Sequence, residues 1–149
     1  MRAVIQRVKH ASVVVDSESV GEIEQGLLVL LGVDKNDNRA LADKLLNKVL
    51  NYRVFPDADD KMNLSLKDIV GGMLVVSQFT LVADTKKGLR PSFSSAASPD
   101  LGRELYEHWV KEAEKSIPNV ATGQFGSDMQ VSLLNDGPVT FILEVGGDA

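Results

Sequence analysis

The segment that most constrains the fold is a continuous run of five apolar residues, Leu27 to Leu31, between two glycines. Five residues are far too few to cross a bilayer and too few for an ordinary helix. A run without polar alternation is typical of a strand that is buried on both faces of its sheet. The sequence therefore predicts such a strand here, ending at Gly32.

Two other patterns predict the elements around this strand. Val and Ile predominate from Ala3 to Val15, which predicts strands over the start of the chain. Apolar residues spaced four apart predict one helix from about Arg39 to Asn51 and another from Asp100 to about Ser116. Between them, a strong strand is predicted from Met73 to Val76, running on to Val82, and the longest irregular stretch from Asp84 to Pro99.

The end of the chain alternates between apolar and polar residues on both sides of the turn-like sequence Asn135-Asp136-Gly137, which predicts a C-terminal hairpin. These elements indicate an α/β (mixed, α+β-like) fold: a largely antiparallel sheet or partly open barrel with two main helices and that hairpin. The length of 149 residues is typical of one domain. We expect this domain over residues 1–145 and a C-terminal tail over 146–149.

Composition excludes several classes of protein. There are 16 basic and 21 acidic residues, and the resulting net charge of −5 argues against nonspecific coating of nucleic acid. The sequence has no cysteine, which excludes disulfide scaffolds, cysteine nucleophiles and thiolate metal sites and agrees with a reducing compartment. The segment from Met1 to Arg7 lacks the apolar core of a signal peptide. We therefore expect a cytoplasmic protein with no membrane partner.

Side chains for acid–base or metal chemistry are scarce. His108 falls on a solvated helix face and His10 in a strand, and nothing in the spacing supports a catalytic triad. Asp57, Asp59 and Asp60 lack the glycine and the distal glutamate of a calcium loop and are typical of a turn. No glycine-rich nucleotide-binding motif is present. We expect neither a metal nor a cofactor.

Three segments remain as candidates for function. Ser77-Gln78-Phe79-Thr80 follows a buried strand and could position a ligand with hydroxyl and amide groups. Residues 135–140 form the predicted turn, and residues 86–93 place three cations in a loop of an acidic protein. Each segment also has a plain structural interpretation, as strand end, hairpin turn or solvated loop. The functional interpretation of the third is a contact with phosphate or RNA.

Ser77-Gln78-Phe79-Thr80 and Asn135-x-Gly137-Pro138-Val139-Thr140, taken together, resemble the two signature motifs of the D-aminoacyl-tRNA deacylase family. The resemblance extends from Arg2 to Val145 and includes residues 90–93 and 125–129. A paralogous family that edits a mischarged L-amino acid carries Pro-Gln-Ala-Thr in place of the first motif. This sequence is therefore similar to the D-specific family.

The resemblance implies a single catalytic domain that hydrolyses the ester bond between a D-amino acid and the 3′-terminal ribose of tRNA, which is chiral proofreading. It points to Ser77, Gln78, Phe79 and Thr80 as the catalytic segment, with Ser77 and Gln78 positioning the terminal adenosine. Because the ester is already activated, backbone N–H groups around Phe79 and Thr80 could stabilise the oxyanion, and the ribose 2′-OH could assist the water. The alternative is nucleophilic attack by Thr80, for which no base is evidently placed.

The resemblance also implies a homodimer with its active sites at the subunit interface. Gly137 and Pro138, joined by a cis bond, would line the partner's pocket and exclude L-residues by contact with a backbone wall. Glycine has no side chain to clash, so glycyl-tRNA(Ala) is a further expected substrate. Arg7 would hold the Gly-Pro segment, and Met129 would line the pocket.

Aminoacyl-tRNA is the implied partner, and Lys86, Lys87 and Arg90 are the expected tRNA contacts. Three other functions remain as alternatives. They are the paralogous L-specific editor, a non-catalytic nucleic-acid-binding module and a general esterase. Phe79 and Ser77 argue against the first, and the lack of a self-sufficient nucleophile and base argues against the last.

Overall fold

The computed structural model describes residues 1–146, so the predicted tail at 146–149 lies outside the described residues except for Gly146. Three helices are present: α1 (Arg39–Asn51), α2 (Leu66–Ile69) and α3 (Pro99–Ser116), with a 3₁₀ helix at Phe79–Val82. The strands are β1 (Arg2–Val15), β2 (Glu18–Ile23), β3 (Gly26–Gly32), β4 (Phe55–Pro56), β5 (Met62–Leu64), β6 (Gly72–Ser77), β7 (Val120–Thr122) and β8 (Gln130–Glu144).

The long first strand organises the main sheet. β1 pairs antiparallel with β3 through its first half, with β2 through its second half, and with β8 along nearly its whole length. β3, β6 and β7 continue the sheet in parallel. β2 then approaches β7 so closely that Gly21 has no room for a side chain against the Thr122 backbone. The sheet is thus a nearly closed, mixed barrel, which confirms the predicted fold class.

The predicted C-terminal hairpin is wrong. Residues 130–144 form one strand, which stays antiparallel to β1 on both sides of the expected turn. The turn residues instead form an irregularity in the ladder, where the register shifts twice between Gln6 and His10. The Asn135 side chain accepts from the Val139 N–H at 2.6 Å and donates to the Val139 carbonyl at 3.3 Å, so the extra residues form a bulge and the chain does not reverse.

A second difference concerns the end of β6. The strand stops at Ser77, and the residues expected to continue it to Val82 form the 3₁₀ helix. Gln78 still donates its N–H to the Leu31 carbonyl at 2.8 Å, which is the last bond to the neighbouring strand. Beyond this point β3 has ended, so there is no ladder to keep the chain extended.

Two apolar layers account for the burial of the Leu27–Leu31 run. Leu27, Val29 and Leu31 pack with α1 and α3 in the larger core, whereas Leu28 belongs to the smaller core inside the barrel. A strand between two cores has no polar face, and this confirms its predicted double burial. The two main helices also lie where they are predicted. Among residues 1–146, no helix combines the length and apolar character that crossing a membrane requires.

Candidate active site

A cavity of about 540 Å³ opens where β6 ends and the 3₁₀ helix begins. Its size is within the usual range for small-ligand sites. The lining is contributed by the ends of β3 and β6, the start of α3 and the segment after β7. The lining residues are Leu31, Val33, Ser77, Gln78, Phe79, Thr80, Ala97, Ser98, Pro99, Gly102, Tyr106, Phe125, Gly126, Ser127 and Met129.

The structure brings five of the sequence-predicted residues to this cavity: Ser77, Gln78, Phe79, Thr80 and Met129. The first four do so because β6 delivers them to its carboxyl end. Met129 comes from the segment before β8, and its sulfur accepts the Gln124 N–H at 3.4 Å. Gly123 leaves the space that this sulfur occupies, since a Cβ there would lie 2.6 Å from it.

The first two residues of the 3₁₀ helix, Phe79 and Thr80, line the cavity. Within this helix, Leu81 donates to the Gln78 carbonyl and Ala83 to the Thr80 carbonyl, both at 3.2 Å. Phe79 and Thr80 stand at its first two positions, and the first N–H groups of a helix have no carbonyl in a preceding turn to bond. Arg2 donates to the Leu81 carbonyl at 2.7 Å and so anchors the far end of the helix to β1.

Of the lining residues in the described part of the chain, none carries a carboxylate, an imidazole or an amine; Tyr106 is the one with an ionisable side chain. Its hydroxyl donates to the Val75 carbonyl at 3.1 Å, and burial raises the pKa of Tyr106 to about 12. The phenol therefore stays protonated at neutral pH. His108 lies elsewhere, bonded to Asp43 at 2.7 Å between α1 and α3, and His10 is exposed on β1.

The aspartates around residue 57 form a turn. The Asp57 carboxylate accepts the N–H groups of Lys61 at 3.0 Å and Asp59 at 2.8 Å, and these bonds lower the pKa of Asp57. No group of three or more metal-ligating side chains comes together within residues 1–146.

Gly137 and Pro138 do not line the cavity of their own chain. They are exposed on the bulge of β8, and their peptide bond is cis. Arg7 binds this segment through Asp136, whose carbonyl accepts from Nε at 2.9 Å, while Nη1 reaches the Val54 carbonyl at 2.7 Å. Arg7 thus contacts the segment that the resemblance assigns to it.

The three loop cations, Lys86, Lys87 and Arg90, are exposed. They lie in a loop that is closed at its base by two backbone hydrogen bonds between Asp84 and Ser92, at 2.8 and 2.9 Å. The next residue, Phe93, packs its ring against Phe79 with 5.2 Å between centroids. The loop therefore lies beside the mouth of the cavity.

A model of the D-Tyr-tRNA(Tyr) deacylase family matches residues 4–144. The chain belongs to this family. Proteins named D-aminoacyl-tRNA deacylase from Pseudoalteromonas translucida and Pseudomonas syringae are 64% and 60% identical to it. The alignments cover 97% of this chain in both cases and 100% and 99% of those proteins. The enzyme class expected from the sequence, a hydrolase of the ester bond in D-aminoacyl-tRNA, is therefore confirmed.

Two solved structures have the same fold. One, titled "c-Myc DNA Unwinding Element Binding Protein", has a TM-score of 0.95 and 37% identity, and the alignment covers 99% of this chain and 100% of that one. The other, described as a probable eukaryotic D-amino acid tRNA deacylase, has a TM-score of 0.75. At 19% identity over 97% of this chain and 98% of that one, it supports the deacylase fold alone.

Sequence reasoning missed two residues that line the cavity, Tyr106 and Phe125, and one that anchors its 3₁₀ helix, Arg2. Tyr106 appeared only as part of an apolar helix stripe, and Phe125 only within the family resemblance. Phe125 packs against Tyr106 at 5.7 Å and lies under the Arg103 guanidinium at 4.8 Å. Arg2 is separated by 79 residues from the carbonyl it binds, so no local pattern could have indicated the contact.

Tyr106→Phe should change alkaline stability while activity at neutral pH is retained. Because the folded-state pKa is raised, the free energy of unfolding is undiminished below about pH 10 and falls by about 2–3 kcal/mol toward pH 12. The variant should lose about 1 kcal/mol below pH 10, since the Val75 carbonyl keeps its bond from Gly123. Because it has no phenol to ionise, the variant should not show the fall in the free energy of unfolding above pH 10.

Urea unfolding at several pH values measures both effects. Tyr52→Phe, at the other tyrosine, is the matched control and should keep the alkaline loss. An unchanged pH dependence in Tyr106→Phe would contradict this assignment.

Proposed function

We propose that this chain carries out chiral proofreading, in which the cavity at the end of β6 hydrolyses D-aminoacyl-tRNA to a D-amino acid and free tRNA. One observation carries the proposal. The signature segment Ser77–Thr80 lines a ligand-sized cavity whose other described lining residues provide no side-chain base. Such a site suits the aminoacyl ester of tRNA, because this ester is already activated and the neighbouring ribose 2′-OH belongs to the substrate.

The backbone supplies the electrostatic part of the mechanism. Water attacks the ester carbonyl carbon, and the N–H groups of Phe79 and Thr80 stabilise the negative charge that develops on the carbonyl oxygen. The bond to the ribose 3′ oxygen then breaks, and this oxygen takes up the proton that the attacking water gives up, which leaves the free D-amino acid and a tRNA with its 3′-OH. The neighbouring ribose 2′-OH positions the water. Ser77 and Gln78 bind the terminal adenosine through their hydroxyl and amide groups.

We further propose that Gly137 and Pro138 provide the chiral wall in the active site of a second subunit. They are exposed, they lie outside their own cavity, and Arg7 holds the preceding carbonyl. A backbone surface on one side of the substrate Cα leaves space for a hydrogen but not for an L side chain. Glycine esters pass for the same reason, so glycyl-tRNA(Ala) is a substrate as well.

We place the contact surface of the homodimer on the sheet face that points away from the helices. There, Val4 pairs with Leu30 on one side and with Ile142 on the other, which forms an apolar row across three strands. Ile142 is 64% exposed in the single chain. Burying such a row between two copies is favourable, and a two-fold axis would carry the same segments into both sites. The enzyme acts in the cytoplasm, where translation takes place.

The first test is deacylation of D-Tyr-tRNA, L-Tyr-tRNA and glycyl-tRNA(Ala), with and without a chelator. We expect rapid loss of the D-ester and the glycine ester, a spared L-ester, and no effect of the chelator. Equal cleavage of the D- and L-esters would contradict the wall. If no ester is cleaved, the chain is a binding module with this fold.

Removal of one backbone N–H should lower kcat more than removal of the Thr80 hydroxyl. Phe79→Pro deletes the N–H at the first helical position, where proline is tolerated because Gln78 is extended at φ −145° and ψ 94°. Relative to Phe79→Ala, which lacks the same ring but keeps the N–H, we expect kcat to fall by about 10²–10³-fold. Thr80→Ala should retain substantial activity. A folded, tRNA-binding but inactive Thr80→Ala would favour the side-chain nucleophile.

Two inactive variants should complement each other if each site uses both subunits. Gly137→Val cannot keep the glycine conformation, since φ is +144° and a Cβ would lie 2.6 Å from Val139, so the variant should deform the wall that is presented to the partner's site. When this variant and Phe79→Pro are mixed and refolded together, about half of the dimers should contain one chain of each. Each mixed dimer has one intact site out of two, so the mixture should recover about a quarter of wild-type activity. Neither variant refolded alone should recover any. No recovery from the mixture, with mixed dimers demonstrated, would mean that each site lies within one chain.

A further inference from the structure

Two exposed aromatic rings stand in contact at the cavity mouth. Phe79 is 63% and Phe93 42% exposed, and their centroids are 5.2 Å apart. Large apolar side chains are usually buried, and removing one from water is favourable. The exposed surface of these two rings is therefore suited to bind a flat apolar partner.

The two rings have different positions relative to the cavity. Phe79 belongs to its lining, whereas Phe93 does not. Phe93 follows the Asp84–Ser92 pairing, so its ring lies outside the rim on the far side of Phe79. A polymeric ligand whose end lies in the cavity, and which leaves the cavity along Phe79, would contact Phe93 next.

Charge beside the rings favours an anion. Lys86, Lys87 and Arg90 occupy the loop that ends at Phe93, in a protein whose net charge is −5. Asp84 is the one carboxylate of this loop, so its three cations leave the loop with a net charge of 3 − 1 = +2. Flat apolar rings beside a positively charged loop match the chemistry of single-stranded nucleic acid, whose bases stack on aromatic faces while cations contact phosphates.

We propose that Phe93 is a stacking residue for the unpaired 3′ end of tRNA, contacting the base that precedes the terminal adenosine, while the loop cations contact the adjacent phosphates. This rests on the proposed function, which places the terminal adenosine in the cavity. Stacking is tolerant of base identity, so the same platform serves every tRNA regardless of its amino acid.

Phe93→Ala tests the proposal with two substrates, D-Tyr-tRNA and the D-tyrosyl ester of adenosine alone. For D-Tyr-tRNA we expect KM to rise about 5–150-fold, from a stacking energy of about 1–3 kcal/mol per base, with kcat unchanged. For the adenosine ester neither constant should change. Phe93→Tyr should restore KM. Leu89→Ala, which shortens a fully exposed apolar side chain in the same loop, is the matched control and should behave as wild type.

The cations give an independent readout. Lys86→Gln and Lys87→Gln should each lower the slope of log affinity against log salt by about 0.7 if the side chain contacts one phosphate of a single strand. The same variants should leave hydrolysis of the adenosine ester unchanged, since that substrate has no phosphate.

Binding of uncharged tRNA tests this proposal independently of the proposed function, because the measurement requires no ester hydrolysis. Phe93→Ala should weaken binding of intact tRNA but not of tRNA shortened by its unpaired 3′ nucleotides, whether or not the wild type cleaves any ester. An unchanged KM and affinity for intact tRNA would overturn the proposal, as would equal losses on both ester substrates. A dimer that dissociates in Phe93→Ala but not in Leu89→Ala, as seen by sedimentation, would instead assign the ring to a subunit interface.

Discussion

The antiparallel ladder between β1 and β8 is the constraint on which the rest of the structure depends. It joins the two ends of the described chain, from the pair Arg2–Glu144 to the pair Val14–Gln130. Along its other edge β1 pairs with β3 and then with β2. β1 therefore sets the position of the parallel strands and of the strands that nearly close the barrel. A change in its pairing register would move side chains from one face of the sheet to the other.

The irregularity in this ladder lets the same two strands serve two cores. In β8, Leu133 faces the barrel interior and Leu143 faces the helices, although both are odd-numbered positions. The bulge at 135–138 makes this exchange possible, because an unmatched residue changes which face later side chains meet. The same bulge carries Gly137 and Pro138 to the surface, where Arg7 binds the preceding carbonyl. The bulge thus has two roles: it lets β8 face both cores, and it carries the segment that we propose selects the chirality of the substrate.

The proposed chemistry depends on where strands end more than on which side chains are present. β6 stops when its neighbour β3 has ended, and the chain turns into a 3₁₀ helix whose first residues line the cavity. A backbone donor is held by the fold itself and costs no reorganisation when charge develops. This explains how a site without an ionised lining side chain among the described residues can serve an activated ester.

The sequence by itself determined the two main helices, the doubly buried β3 and the family, because these depend on local spacing and on residue identity. The apolar spacing placed the start of α1 at about Arg39, and the structure shows that the Asn38 side chain caps the helix by accepting the Leu41 N–H at 2.9 Å. Tertiary structure alone decided that residues 130–144 form one strand and that residues 79–82 form a 3₁₀ helix. It also decided that Tyr106 and Phe125 meet at the cavity and that Arg2 anchors the 3₁₀ helix beside it. These outcomes depend on partners far away in the chain, and an alternating apolar pattern is the same whether a strand reverses or continues along a longer neighbour.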